Sequence, residues 1–152
     1  MRAASGRAKA RAMVPPKKLV PRAVRIAEEL AVRSVKLRSG RSAAKAGRSL
    51  GELGAVAIPK LVEAAADASP FVRSGALFGF EAAALLGAEV VGPILAVLAN
   101  ETDPRVIETA CGVLGRLGPA AVAPAEAALK AAASGTDERA VAAAKGALAT
   151  LQ

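Results

Sequence analysis

The chain contains no histidine, no tryptophan and no tyrosine, and only one cysteine. Without histidine it lacks the commonest general base, proton shuttle and metal ligand. A single cysteine, Cys111, can form neither an internal disulfide nor a multi-cysteine metal site. It also fits a reducing compartment, so a cytoplasmic location is expected. Phe71, Phe78 and Phe80 are the only aromatic residues. The platforms on which unpaired bases usually stack are therefore scarce. Long apolar runs are also missing. The most apolar stretch, 76–99, is broken by Glu81, Glu89 and Gly92-Pro93, so it reads as core helices and no membrane association is expected. The first twelve residues are rich in Arg and Ala and lack the apolar centre of a secretory signal, although an organelle transit segment shares that acid-poor make-up.

Catalytic constellations are absent as well. Acidic residues fall singly on different segments, and no glycine-rich loop of the phosphate-cradling kind occurs. Cys111 has neither a histidine nor a basic residue four positions away to activate it, and it reads as a small core residue. No catalytic, cofactor-binding or metal site is expected, and the chain is read as a non-enzymatic protein.

Alanine is abundant among the apolar residues and β-branched runs are lacking, which favours helices throughout. Charge is distributed unevenly. Residues 1–49 hold 14 Lys and Arg against Glu28 and Glu29, a net of +12, whereas residues 50–152 hold 7 basic and 11 acidic residues, a net of −4. A strongly basic front end suits a polyanion or an acidic partner. Residues 1–20 show no apolar periodicity and carry Pro15-Pro16-Lys17-Lys18. They are expected to form a disordered basic arm.

From residue 21 onward a repeat emerges. Leu50-Gly51-Glu52-Leu53-Gly54 returns at four of five positions as Leu114-Gly115-Arg116-Leu117-Gly118. Pro59 and Pro70 are 11 residues apart, as are Pro93 and Pro104, and the two pairs are displaced by 34. Ser69, Asp103 and Asp137 are also spaced by 34, each at a credible N-cap position. The pattern predicts four antiparallel helix pairs, at about 22–54, 57–87, 91–118 and 121–151. In each first helix a proline stands near the start: Pro59, Pro93 in its first turn, and Pro124. Ala23, Ile26, Ala27, Leu30 and Ala31 mark the apolar face of the first helix. In the second helices Ala46, Leu50 and Leu53 match Ala110, Leu114 and Leu117, with Ala76, Phe80, Ala144, Leu148 and Leu151 filling the same register. One small and two large residues at i, i+4 and i+7 make a single buried stripe.

With these features the region 40–151 resembles short bacterial HEAT repeats, of the kind also found in phycobilin lyase subunits. The carrying motifs are the turn-then-proline starts (Asp67 to Pro70, Asp103-Pro104), Val72-Arg73 and the Leu-Gly-x-Leu-Gly endings. Matching positions hold Val106-Ile107 and Ala140-Val141, so an Arg–Asp ladder between repeats is not expected. The resemblance implies an all-α, right-handed α-solenoid of the armadillo-like class over 21–152, with the second helices lining its concave side. The face opposite the buried stripe carries Arg41, Lys45, Arg48, Arg105, Arg116, Arg139 and Lys145, diluted by Glu52, Glu81 and Glu108. Phe78 stands where the other copies have Gly112 and Gly146, and is expected at the surface as an anchor. The expected function is a monomeric scaffold that binds a protein partner through an acidic segment. The alternative is sequence-independent nucleic-acid binding through the basic arm and the Arg/Lys face. A phycobilin-lyase-like subunit is a more distant alternative.

Overall fold

A computed structural model describes residues 21–84 and 88–152 of the 152-residue chain. The expected basic arm, residues 1–20, lies outside the described residues, as does the expected helix stop at Gly87. Eight α-helices are present among the described residues: α1 (Arg22–Arg38), α2 (Ala43–Gly51), α3 (Ile58–Ala65), α4 (Pro70–Ala82), α5 (Ala88–Asn100), α6 (Pro104–Leu117), α7 (Pro119–Ala133) and α8 (Glu138–Ala149). A 3₁₀ turn, Gly54–Ala57, precedes α3. No strand occurs among the described residues, and the protein is all-α.

Helix starts follow the local chemistry. Asp103 Oδ1 accepts from the Arg105 amide and Asp137 Oδ1 from the Ala140 amide, both at 2.9 Å, so both aspartates cap as expected. Ser69 has the extended N-cap conformation, but its hydroxyl makes no cap. Asp67 Oδ1 instead accepts from the Ser69 amide at 2.8 Å and fixes the turn.

Several boundaries differ from the sequence expectation: α4 ends at Ala82, short of the expected Leu86, α7 begins at Pro119 rather than Ala121, and two further starts have a visible cause. The helix α2 begins at Ala43 rather than Arg41, because Ser42 is left-handed (φ 48°) and interrupts the helical path. The helix α5 begins at Ala88 rather than Val91, which places Pro93 in its sixth position and not in its first turn. Pro124 likewise occupies the sixth position of α7, and Pro59 the sixth residue counted from Gly54. A proline there removes one early i→i−4 hydrogen bond. In the second pair the chain meets the same constraint with a 3₁₀ turn before α3; in the third and fourth the α-helix continues through it.

The helices contact one another in a regular order. Each of α1, α3, α5 and α7 contacts the helix that follows it. The even-numbered helices contact in sequence, α2 with α4, α4 with α6, and α6 with α8, and the odd-numbered helices do the same. Ala76, Ala110 and Ala144 of the predicted stripe are fully buried, together with Leu50, Phe80 and Leu114. Each large buried side chain contributes about 2 kcal/mol by leaving water. Leu148, in the same register as Leu114, and Leu53 and Leu117, one turn further on, are half-buried. Leu151, expected in the stripe, is exposed, because α8 ends at Ala149 and no further helix among the described residues covers it.

The contact between α2 and α4 is closest. Gly47 and Gly51 face Gly75 and Gly79 across it, and a Cβ on Gly47 or Gly51 would collide with the carbonyl of Gly75 or Gly79. Backbone rests on backbone there. The contact between α6 and α8 is looser, with Gly115 against Ala147. The apolar face expected for α1 is largely uncovered. Ala23, Ala27 and Ala31 are exposed, and burial begins only at Ser34 and Leu37, where α2 and α3 are in reach.

Candidate partner-binding face

The eight residues expected to form the binding face do not form one uniform strip. Arg48 of α2, Phe78 of α4 and Arg116 of α6 meet across three successive even-numbered helices. The Arg48 guanidinium lies 4.3 Å from the Phe78 ring centre, and that of Arg116 lies 6.0 Å from it. Phe78 is therefore half-buried beneath two cations, not a bare anchor. Gly112, one turn before Arg116, has no side chain to displace its guanidinium; a Cβ there would stand 3.2 Å from it. Arg116 is also held by Glu81, with Nε 2.6 Å from Oε1 and Nη2 2.9 Å from Oε2. That hydrogen bond raises the pKa of Arg116 above its ordinary value, and the pair neutralises the charge at this end of the row.

Arg105 stands apart from that row. It lies 5.2 Å above the exposed Phe71 ring and within 3.4 Å of Asp103. Arg139 and Lys145 are exposed on α8, with no carboxylate partner among the described residues. Arg41 lies in the turn before α2 and Lys45 in its first turn, both exposed. These two share an open pocket of about 350 Å³ with Arg33 and Lys36 of α1. The two α1 residues were not part of the expected face, because the repeat register selects second helices only.

An ion pair between Arg73 of α4 and Glu101, in the turn before α6, was not expected either. Arg73 donates through Nε to Glu101 Oε2 at 2.7 Å and through Nη2 to Oε1 at 3.0 Å. Its Nη1 donates to the carbonyls of Asp67 and Ala68 at 2.9 and 3.0 Å. The Glu101 carboxylate also accepts from the amides of Thr102 and Asp103, each at 3.0 Å. Together with Arg116–Glu81, this pair links successive helix pairs, with glutamate in the acidic role both times. Burial alone would raise the Glu101 pKa, but the hydrogen bonds from Arg73 and the two amides outweigh it and hold the carboxyl below its usual range. Cys111 is fully buried, and that burial pushes its thiol pKa up to about 11.

Among the described residues no group of three or more Cys, Asp or Glu side chains is placed to hold a metal ion, and no helix is long and apolar enough to cross a membrane. Comparison with protein-family models, with curated proteins and with solved structures finds no match.

Proposed function

We propose that the chain is a HEAT-like α-solenoid scaffold, without enzymatic activity, whose even-numbered helices form the inner wall of a groove that takes an acidic protein segment. Packing supports the curvature. Glycines bring α2 and α4 together backbone to backbone. On the other side, clefts of about 680 Å³ and about 550 Å³ open between α3 and α5 and between α5 and α7. A stack spaced more tightly along one row bends toward that row. The observation that carries the binding reading is Arg48 stacked on Phe78, a guanidinium with no carboxylate partner among the described residues set against an apolar ring, with the Glu81-paired Arg116 beyond it. Binding of a fluorescent oligoglutamate peptide tests it. Charge reversal of Arg41 and Arg48 should abolish binding at low salt, and unchanged affinity would remove the groove assignment.

A second reading, sequence-independent nucleic-acid binding, is favoured by the net +12 of residues 1–49. It predicts that affinity for generic duplex or single-stranded DNA falls steeply with salt. It also predicts that a form starting at Pro21 binds more weakly. Absence of binding at low salt excludes it.

A further inference from the structure

The cations of the predicted face differ in whether a carboxylate answers them. Arg116 is paired with Glu81, and Arg105 lies beside Asp103. At the corner between the last turns of α1 and the first turn of α2 the balance is different. Lys36, Arg41 and Lys45 line one pocket and have no ion-pair partner among the described residues. Arg33 forms a fourth wall, its Nη1 donating to the Ser49 carbonyl and its Nη2 to Glu29 at 3.0 Å. Ser42 lines the same pocket and its hydroxyl caps nothing. Arg33 is answered by Glu29 at 3.0 Å and by Glu52 at 4.0 Å, but the other three cations around the opening repel each other, and an anion seated among them relieves that repulsion.

We propose that the pocket formed by Arg33, Lys36, Arg41, Lys45 and Ser42 is a binding site for a phosphomonoester group. The proposal rests on the scaffold reading in one respect: the phosphate is taken to be carried by a serine of the partner's acidic segment. Three features favour this chemistry. The donors outnumber what a carboxylate's two oxygens can accept, whereas a phosphate dianion offers three strongly accepting oxygens. The pocket, about 350 Å³, suits one such group with its ester arm and not a length of backbone. The charge does not continue as a track. On α4, the next helix, Phe78 and Glu81 meet the neighbouring arginines, and Arg73 is spent on Glu101. A nucleic-acid strand needs successive cations along its path, and the α4 surface interrupts them.

The test uses the full chain, isotope-labelled, with O-phospho-L-serine as the probe and backbone amide NMR shifts as the readout. Saturating shifts confined to residues 33–49 are expected, with serine and aspartate at matched ionic strength giving none that saturate. Replacing Lys36, Arg41 and Lys45 by Gln should weaken the interaction by about tenfold or more. The same change at Arg139 and Lys145, which removes charge on α8, should leave it intact. Shifts spread over every basic surface would overturn the proposal. So would equal weakening by the α8 variant, or equal binding of aspartate. If a single-stranded oligonucleotide saturates the same residues more tightly than phosphoserine, the pocket belongs to nucleic acid and the proposal also fails. Loss of the phosphoserine effect with oligoglutamate binding still sensitive to Arg41 and Arg48 would remove this site and leave the scaffold reading standing.

Discussion

Arg73 and Glu101, 28 residues apart, form a two-pronged ion pair at 2.7 and 3.0 Å that ties the first turn of α4 to the turn before α6. Their side chains are 17% and 5% exposed, and every charged end has further hydrogen bonds to backbone. Removing one partner leaves the other charged and poorly solvated. Arg73→Met or Glu101→Leu alone is expected to cost about 3 kcal/mol. The double change Arg73→Met with Glu101→Leu should cost much less than the sum of the singles, because no charge is then stranded. Urea denaturation of the four forms gives the coupling energy. Additive losses would mean that the pair does not act as a unit.

The same pair sets an acid dependence. Glu101 has a lowered pKa in the folded chain, so its contribution is present above the unfolded carboxyl value. It is lost as pH falls through the folded value. Asp103, lowered by the Arg105 amide bond, acts in the same direction. In an acid titration followed by circular dichroism, stability should decline below about pH 4.5. Glu101→Gln should start from a lower stability at neutral pH and decline less steeply. Parallel curves would show that the acid response arises elsewhere.

Periodic features were readable from the sequence. The aspartate caps, the 34-residue step and the buried Ala110 and Leu114 all depend on residues close in the chain or on repetition. What was not readable depends on long-range geometry. The Gly47–Gly75 contact is invisible to a hydrophobic-stripe argument, because glycine adds nothing to the stripe. The Arg73–Glu101 pair joins a helix to a turn of the following repeat. At the candidate face, Arg48 and Arg116 looked equivalent until Glu81 was found against Arg116 and not against Arg48. Arg33 and Lys36 were missed because their pocket is made by two helices of one pair. The all-helical character could thus be read from local pattern, while the charge balance of the site required the neighbours.

Cys111 offers a direct check on burial. With its thiol at about 11 and no exposed surface, it is almost entirely protonated and shielded in the folded chain. At about pH 8 a disulfide reagent should react no faster than unfolding allows, and rapidly in denaturant. Fast stoichiometric reaction in native buffer would place the thiol at the surface and contradict the packing of α6.

Two glycine substitutions should act with opposite sign. Gly75 sits where a Cβ would stand 2.6 Å from the Ala43 carbonyl and against the Leu37 side chain. Gly75→Ala must push α4 away from α2, and a loss of about 1–3 kcal/mol is expected. Gly146, inside α8, has nothing within 4 Å of the same position. Gly146→Ala gains helix propensity without a clash, so a gain of roughly 0.5–1 kcal/mol is expected. Thermal melts of the two variants decide the matter. If both stabilise, α2 and α4 do not meet through their glycines, and the curvature proposed for the stack loses its support.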